Sequence, residues 1–287
     1  MQWLNILLQG AMLGGLYALF AVGLSLAFGI MRMVNIAHGD LIVLSAYLAL
    51  MVVNATGLPA LATVVIVVPV MFVLGYALQR GLLNLTLSGG LLPPLLVTFG
   101  ISVIIENALL EAFGADIQRL HAGTIETASL ALGGIAVGVY PILVFVTAVA
   151  ALAVLQVVFY RTALVRAFRA TSDDAGTAEL MGVDNRHLYA VAMAIAMIFT
   201  ALAGVLMAVR TTFDPAAGPI RLIFAFEAVI IGGLGSLWGT LLGGMVLGIA
   251  QAVGAALSPT WQILAGHLAF LLILMIRPSG FFPRTRD

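Results

Sequence analysis

Glu106 and Glu227 fall inside long apolar runs, and Asn35, His38 and Asp40 lie where the first such run gives way to the second. An ionisable group at membrane depth is costly and by default faces the interior of a helix bundle or a water-filled cavity. These residues, with Asn107 beside Glu106, are therefore candidates for lining a solute path. A zwitterionic solute would need donors for its carboxylate, acceptors for its ammonium and apolar walls for the remainder. Ser25, Ser45, Thr98 and Ser102 could supply hydroxyls, although each can also bond along its own helix. The stretch GGLGS at 232–236, containing Gly233, Gly235 and Ser236, is poor helix. It reads as a break of the sort that lines cavities in transporters. Arg32 reads as a membrane-edge anchor, and Asp40 also suits the start of the helix that follows. His38 has no second His or Cys at ligand spacing, so a metal site is not expected.

These residues need a scaffold, and composition says what kind. Of 287 residues 63% are hydrophobic and 8% charged, against roughly a quarter charged in soluble domains. This is an integral membrane protein. Cysteine is absent, which excludes disulfides, thiolate metal sites and a cysteine nucleophile. Lysine is absent too, so all twelve basic residues are arginine and no phosphate-loop lysine exists. The opening MQWLNILLQG has no basic residue before the first apolar run and no small-residue cleavage site ends that run, so a cleaved signal peptide is not expected.

A membrane-crossing helix takes about 20 mostly apolar residues. Segments at about 9–30, 39–54, 58–79, 91–112, 138–159, 188–209, 222–234, 238–257 and 261–276 meet or approach that length. The seventh is short and reads as a half-helix, so eight or nine spans are expected. Cytoplasmic loops are enriched in basic residues. Alternating outward from the charged loop 161–187 puts Arg32, Arg80, Arg161, Arg166, Arg169, Arg186, Arg277, Arg284 and Arg286 inside. Arg119, Arg210 and Arg221 fall outside, with the N-terminus outside and the C-terminus inside. Segment 113–137 reads as an external loop with a short strand or helical turn. Glycines at 235, 239 and 243, at 244 and 248, and at 10 and 14 recur every four residues, the pattern that lets helix backbones approach closely in lipid.

The loop RTALVRAFRATSDDAGTAELMGVDNRH, 161–187, holds nine charged or histidine side chains in a chain that otherwise avoids charge. It is far longer than the two to eight residues that usually join bundle helices. Thr171 or Ser172 could cap a helix over about 172–181, with Asp173 and Asp174 at its positive end and Gly182 ending it. Ala175, Ala178 and Met181 would form a small apolar face built to lie against something.

The run RAFRATSDDAGTAELMGVDNRHLYAVAMAIA resembles the cytoplasmic coupling loop of branched-chain amino-acid (LivH-type) ABC permeases. GLYALFAVGLSLAFGIMRMVNIAHGDLIVLSAYLA, FEAVIIGGLGSLWGTLLGGMVLGIAQA and the closing MIRPSGFF resemble the same family, in order, over nearly the whole chain. The resemblance implies an all-α, polytopic bundle of eight or nine helices with broken or re-entrant segments and a cytoplasmic coupling helix, in a single domain over 1–287. It implies that this helix docks on a separate ATPase, with Arg166, Arg169, Asp173, Asp174, Glu179 and Gly182 at or near the contact. The implied partners are a second homologous permease, two ATPase subunits holding ATP and Mg, and a soluble binding protein. They work in the lipid of a bacterial cytoplasmic membrane; nucleic acid is not expected. The chain itself would bind no cofactor and be no enzyme. A lysine is common in the family near position 227, so Glu227 leaves the substrate open among branched-chain and aromatic amino acids, urea and other amides. An ion-coupled transporter or channel is the alternative, and only Glu106 and Glu227 suit it. An intramembrane enzyme is the weakest reading, since HExxH and GxSxG are absent.

Overall fold

The computed structural model describes residues 2–87, 90–132 and 135–282. Helices run over Gln2–Met31 (α1), His38–Thr56 (α2), Val64–Gly81 (α3), Leu92–Phe113 (α4) and Thr124–Thr127 (α5). A hairpin of Ser129–Leu132 (β1) and Ile135–Gly138 (β2) follows, paired Ser129 to Gly138. Then come Val139–Arg161 (α6), Ala163–Asp173 (α7), Ala175–Leu180 (α8), Asn185–Arg210 (α9), Gly218–Gly232 (α10), Leu237–Leu257 (α11) and Trp261–Ile276 (α12). In hydrocarbon a backbone must satisfy its own polar groups, so apolar runs of this length can only be helix. Among the described residues eight helices are long and apolar enough to cross a membrane, if the short turn at Pro215–Ala217 is counted with α10. The 16-residue α12 falls just short of that length. The expected external loop contains α5 and the hairpin. Arg284 and Arg286, part of the charge count, lie outside the described residues.

The central elements are α1 and α9, buried along most of their length. The outer elements α3, α4 and α6 expose large apolar side chains such as Val73, Ile104 and Val154. Lipid can cover such a band, whereas water would not. Small residues set the closest contacts. Gly10 lies against Gly248 and Gly14 against Gly244, so the first GxxxG pattern meets the last in antiparallel register and leaves no room for a Cβ. Gly239 and Gly243 instead pack on Gly232 and Ala228, closing α10 onto α11. The expected series of 235, 239 and 243 is thus one member shorter, because Gly235 lies outside the helix.

Two helices begin inside the bundle. After α1 ends at Met31, the chain turns at Arg32 and returns through buried Met33, Asn35 and Ala37, and α2 starts beside the carbonyl of Phe20, three turns back along α1. The amide of Ile36 donates to the Thr98 hydroxyl, 3.2 Å away, and holds this segment. Likewise α10 starts at Gly218, which packs on Gly39 and Asp40. The first is the expected irregularity at 32–40; the second is unexpected, since the seventh segment, read as a half-helix, starts earlier and with Pro215–Ala217 is long enough to cross. The two first turns meet. The α10–α11 break turns at Gly233 (φ 102°) and Gly235 (φ 80°), values that side-chain-bearing residues rarely adopt. The closing segment seals it: Phe281 N–H donates to Ile231 O (2.9 Å) and Phe282 N–H to Gly232 O (3.0 Å). Carbonyls at the end of α10 are thereby satisfied.

Candidate functional site

The charged loop folds as two helices where the sequence suggests one. The strongly amphipathic α7 buries Val165 and Phe168 and ends at Asp173. Thr171 and Ser172 do not cap. They are buried inside α7, where the Thr171 hydroxyl donates to Asn185 Oδ1 (2.9 Å) and the Ser172 hydroxyl to Gly29 O (3.0 Å). The cap is Asp174, whose Oδ1 accepts from the amides of Gly176 (3.0 Å) and Thr177 (3.1 Å) while Oδ2 accepts from the Thr177 hydroxyl (2.6 Å). Ala178 is buried and Gly182 (φ 87°) ends the turn as expected. Met181 departs from its expected packing role: it is 81% exposed and Leu180 88%. Two large apolar side chains stand in the open beside exposed Asp173 and Glu179.

This knob is anchored from below. Arg32, the one described non-glycine residue with positive φ (52°), donates to Ser172 O at 3.0 Å. Arg80 pairs with Asp184 at 3.4 Å, and Asn84 Nδ2 donates to Arg186 O at 2.9 Å. Asp184 in turn caps α9 through the His187 amide (2.9 Å). Hydrogen bonds hold both capping carboxyls below the usual range: Thr177 is the main cause for Asp174, and the His187 amide, then Arg80, for Asp184.

Beside the knob a cavity of about 280 Å³ opens between α1, α6, α7 and α11. Ser25, Gln156, Arg169, Gly235, Ser236 and Trp238 are in its wall. Arg169, expected at the ATPase contact, thus faces a cavity shared with two of the path candidates, while Arg166 is exposed on α7. Ser236 also caps α11 by accepting from the Gly239 amide (3.1 Å). Gly233 lies away from the cavity, under Gly280.

The early polar residues form a separate cluster at the start of α2. His38 Nε2–H donates to Phe20 O at 2.7 Å, and Asp40 Oδ2 accepts from the Ser102 hydroxyl at 2.5 Å. Asp40 Oδ1 and Asn35 Oδ1 are buried without a partner. Glu106 sits one turn beyond Ser102 on α4. Asn107 bonds back to Val103 O (2.8 Å) and faces outward, so it does not join them. Ser45 bonds along its own helix as expected, to Leu41 O.

Glu227 belongs to a third cluster, whose other members sequence reasoning did not select. Its Oε1 lies 2.5 Å from His267 Nδ1, and the His267 ring stacks on Phe224 at 6.3 Å. Phe224 packs on Tyr17 (5.1 Å), whose hydroxyl donates to Gln251 Oε1 at 2.5 Å. Arg210 and Arg221 lie within electrostatic reach of Tyr17. One signal did point to these arginines: they are two of only three on the side where the basic bias allows few. Among the described residues no group of three or more His, Cys, Asp or Glu could hold a metal ion.

A family model described as the permease component of the branched-chain amino acid transport system matches residues 6–277. The high-affinity branched-chain amino acid transport system permease protein BraD of Pseudomonas aeruginosa is 28% identical, over 99% of this chain and 96% of that protein. LivH of Escherichia coli, a permease protein of the same kind of system, is 25% identical over the same shares. The similarity to LivM of E. coli, a further permease protein, is 28% over 44% of this chain and 30% of that one.

Proposed function

Because the chain belongs to the branched-chain amino acid transport permease family, we propose that it is the membrane-spanning subunit of an ATP-driven importer of branched-chain or related amino acids. A soluble binding protein delivers the solute, a second permease of the LivM kind completes the path, and two ATPase subunits hold ATP and Mg. The complex sits in the bacterial cytoplasmic membrane, with the charged knob on the cytoplasmic side.

The observation that carries this reading is α8. A short helix, capped by Asp174, tied to α9 through Asn185 and following directly on α7, presents bare Leu180 and Met181. Apolar side chains this exposed on a charged surface suit a pocket on another protein. With no lysine in the chain, ATP chemistry has to come from such a partner. ATPase closure would then push on α7 and α8, and through Ser172 and Arg32 on the end of α1.

The test is co-purification and uptake. Leu180→Glu with Met181→Glu, or charge reversal at Asp173 and Asp174, lowers recovery of the ATPase and ATP-dependent uptake together. Normal recovery and uptake in both variants would sink the assignment.

A further inference from the structure

The cavity between α1, α6, α7 and α11 contains a hydroxyl that the bundle leaves unused. Ser25 is fully buried and stands in the cavity wall, and its Oγ has no hydrogen-bond partner. A serine inside a helix ordinarily bonds back to the carbonyl four residues earlier. Ser45 and Thr200, equally buried, do so through Leu41 O (2.8 Å) and Ala196 O (3.2 Å). Leaving a buried hydroxyl unmet is costly, so this one calls for a polar atom delivered through the cavity. It lies six residues before α1 ends, a rise of about 9 Å from the cytoplasmic end of that helix.

Positive charge reaches the same cavity from two elements. The 21-residue α11 begins in its wall, and Ser236 satisfies only the Gly239 amide there. The amides of Leu237 and Trp238 have no partner among the described residues. Such first amides, with the helix dipole behind them, favour an anion. Arg169 adds a full charge from α7, and among the described residues it has no ion pair, even with Asp173 one turn on. No carboxylate lines the cavity. Much of the remaining wall is apolar, with Phe159, Val165 and Phe168. The flanks face lipid: Val157 and Val158 are exposed on α6 and Leu242 on α11. Trp238, also exposed, is a residue type that collects at the membrane boundary. A free phosphate would leave the apolar wall unused. A zwitterionic head group would bring a cation to a site without a carboxylate. An anionic phospholipid matches both parts, and basic pockets between membrane helices on the cytoplasmic side bind such head groups.

We propose that this cavity seats the head group of an anionic phospholipid, with Arg169 and the first amides of α11 on its phosphate and the Ser25 hydroxyl on an oxygen deeper in its glycerol ester region. The volume of about 280 Å³ suits a head group and leaves the acyl chains on the exposed faces of α6 and α11. The proposal takes only its sidedness from the importer reading, and its ligand is not the transported solute. A lipid held there joins α7 to α1 and α11, so membrane composition bears on the charged knob.

The experiment extracts the full chain, with the subunits that accompany it, into neutral detergent and titrates it with phosphatidylglycerol or phosphatidylcholine. Native mass spectrometry reads the lipid retained, with ATP and solute absent. Phosphatidylglycerol is retained in preference to phosphatidylcholine. Arg169→Gln weakens that retention by about fivefold, the share of one basic residue at an anionic lipid surface. Arg169→Lys, which keeps the charge, restores part of it. Ser25→Ala, which alters no charge, weakens it by about threefold or more and so separates a built site from general surface attraction. Equal retention of the two lipids overturns the site, as does wild-type retention in either Arg169→Gln or Ser25→Ala. Displacement of phosphatidylglycerol by inorganic phosphate overturns the lipid as ligand, and so does a neighbouring subunit cross-linked at Trp238 in a complex that carries no lipid. Absence of ATP-dependent uptake from the same preparation would overturn the importer reading and leave the lipid result standing.

Discussion

The Asp40 carboxylate fills the space that a Cβ on Gly218 would occupy, so the first turns of α2 and α10 meet through an acid and a residue without a side chain. Gly218→Ala therefore forces two helix starts apart, and lost transport with lowered thermal stability in detergent is expected. Asp40→Ala in the same chain relieves the overlap and restores part of that stability. Ser102→Ala removes a bond to Asp40 and costs about 1–3 kcal/mol. If Gly218→Ala matches wild type in melting temperature and uptake, the contact is not what holds these helix ends.

The antiparallel pairing of Gly10 with Gly248 and Gly14 with Gly244 gives a sharp contrast between glycines. Gly14→Val or Gly244→Val separates α1 from α11, and recovery of folded protein falls severalfold. Gly100→Ala meets nothing within 4 Å and replaces glycine inside a helix. It leaves recovery unchanged or raises stability by about 0.5–1 kcal/mol. Yields from detergent extraction and size exclusion measure both.

Acid should loosen the knob only late. The carboxyl of Asp174 is held below its usual value by the Thr177 hydroxyl and by the amides of Thr177 and Gly176. A depressed folded-state pKa stabilises fully above the unfolded value of about 3.9, and that contribution is lost as pH falls through the lower folded value. Hydrogen exchange at Gly176 and Thr177, corrected for intrinsic rates, should stay protected from about pH 5 to 8 and open below about pH 4. Asp174→Ala removes that protection at every pH, and Asp174→Asn weakens the acid transition.

Arg169 and Leu180 should fail differently. Arg169 faces the cavity, and Leu180 faces outward. Arg169→Ala lowers uptake by about three- to tenfold while the ATPase still co-purifies. Leu180→Glu lowers co-purification as well. Equal loss of ATPase by both variants would return Arg169 to the docking surface.

Much of the fold could be read from residue order, because hydrocarbon leaves a long apolar run no choice but helix. The breaks at Arg32–Ala37 and GGLGS were visible for the same reason, as interruptions in those runs. The cap of α8 was misplaced by two or three residues: Thr171, Ser172, Asp173 and Asp174 are all good capping types, and which one caps depends on where α7 stops. It stops after Thr171 and Ser172 have found Asn185 and Gly29, contacts across the bundle that no local pattern reveals. The path candidates were similarly legible as costly residues but not as groups. Asp40 meets Ser102, and Glu227 meets His267 forty residues away.

Sequence alone determined that this chain is a membrane bundle, that it cannot hold nucleotide in a phosphate loop of its own, and that a third of its charged residues fall in one loop. These are properties of side-chain type and run length, which are local and additive. Tertiary structure decided which glycines interlock, which acid caps α8, and which buried polar groups are left without a partner. Those depend on the relative placement of helices far apart in the chain, where a buried polar group is settled by its neighbours in space and not in sequence.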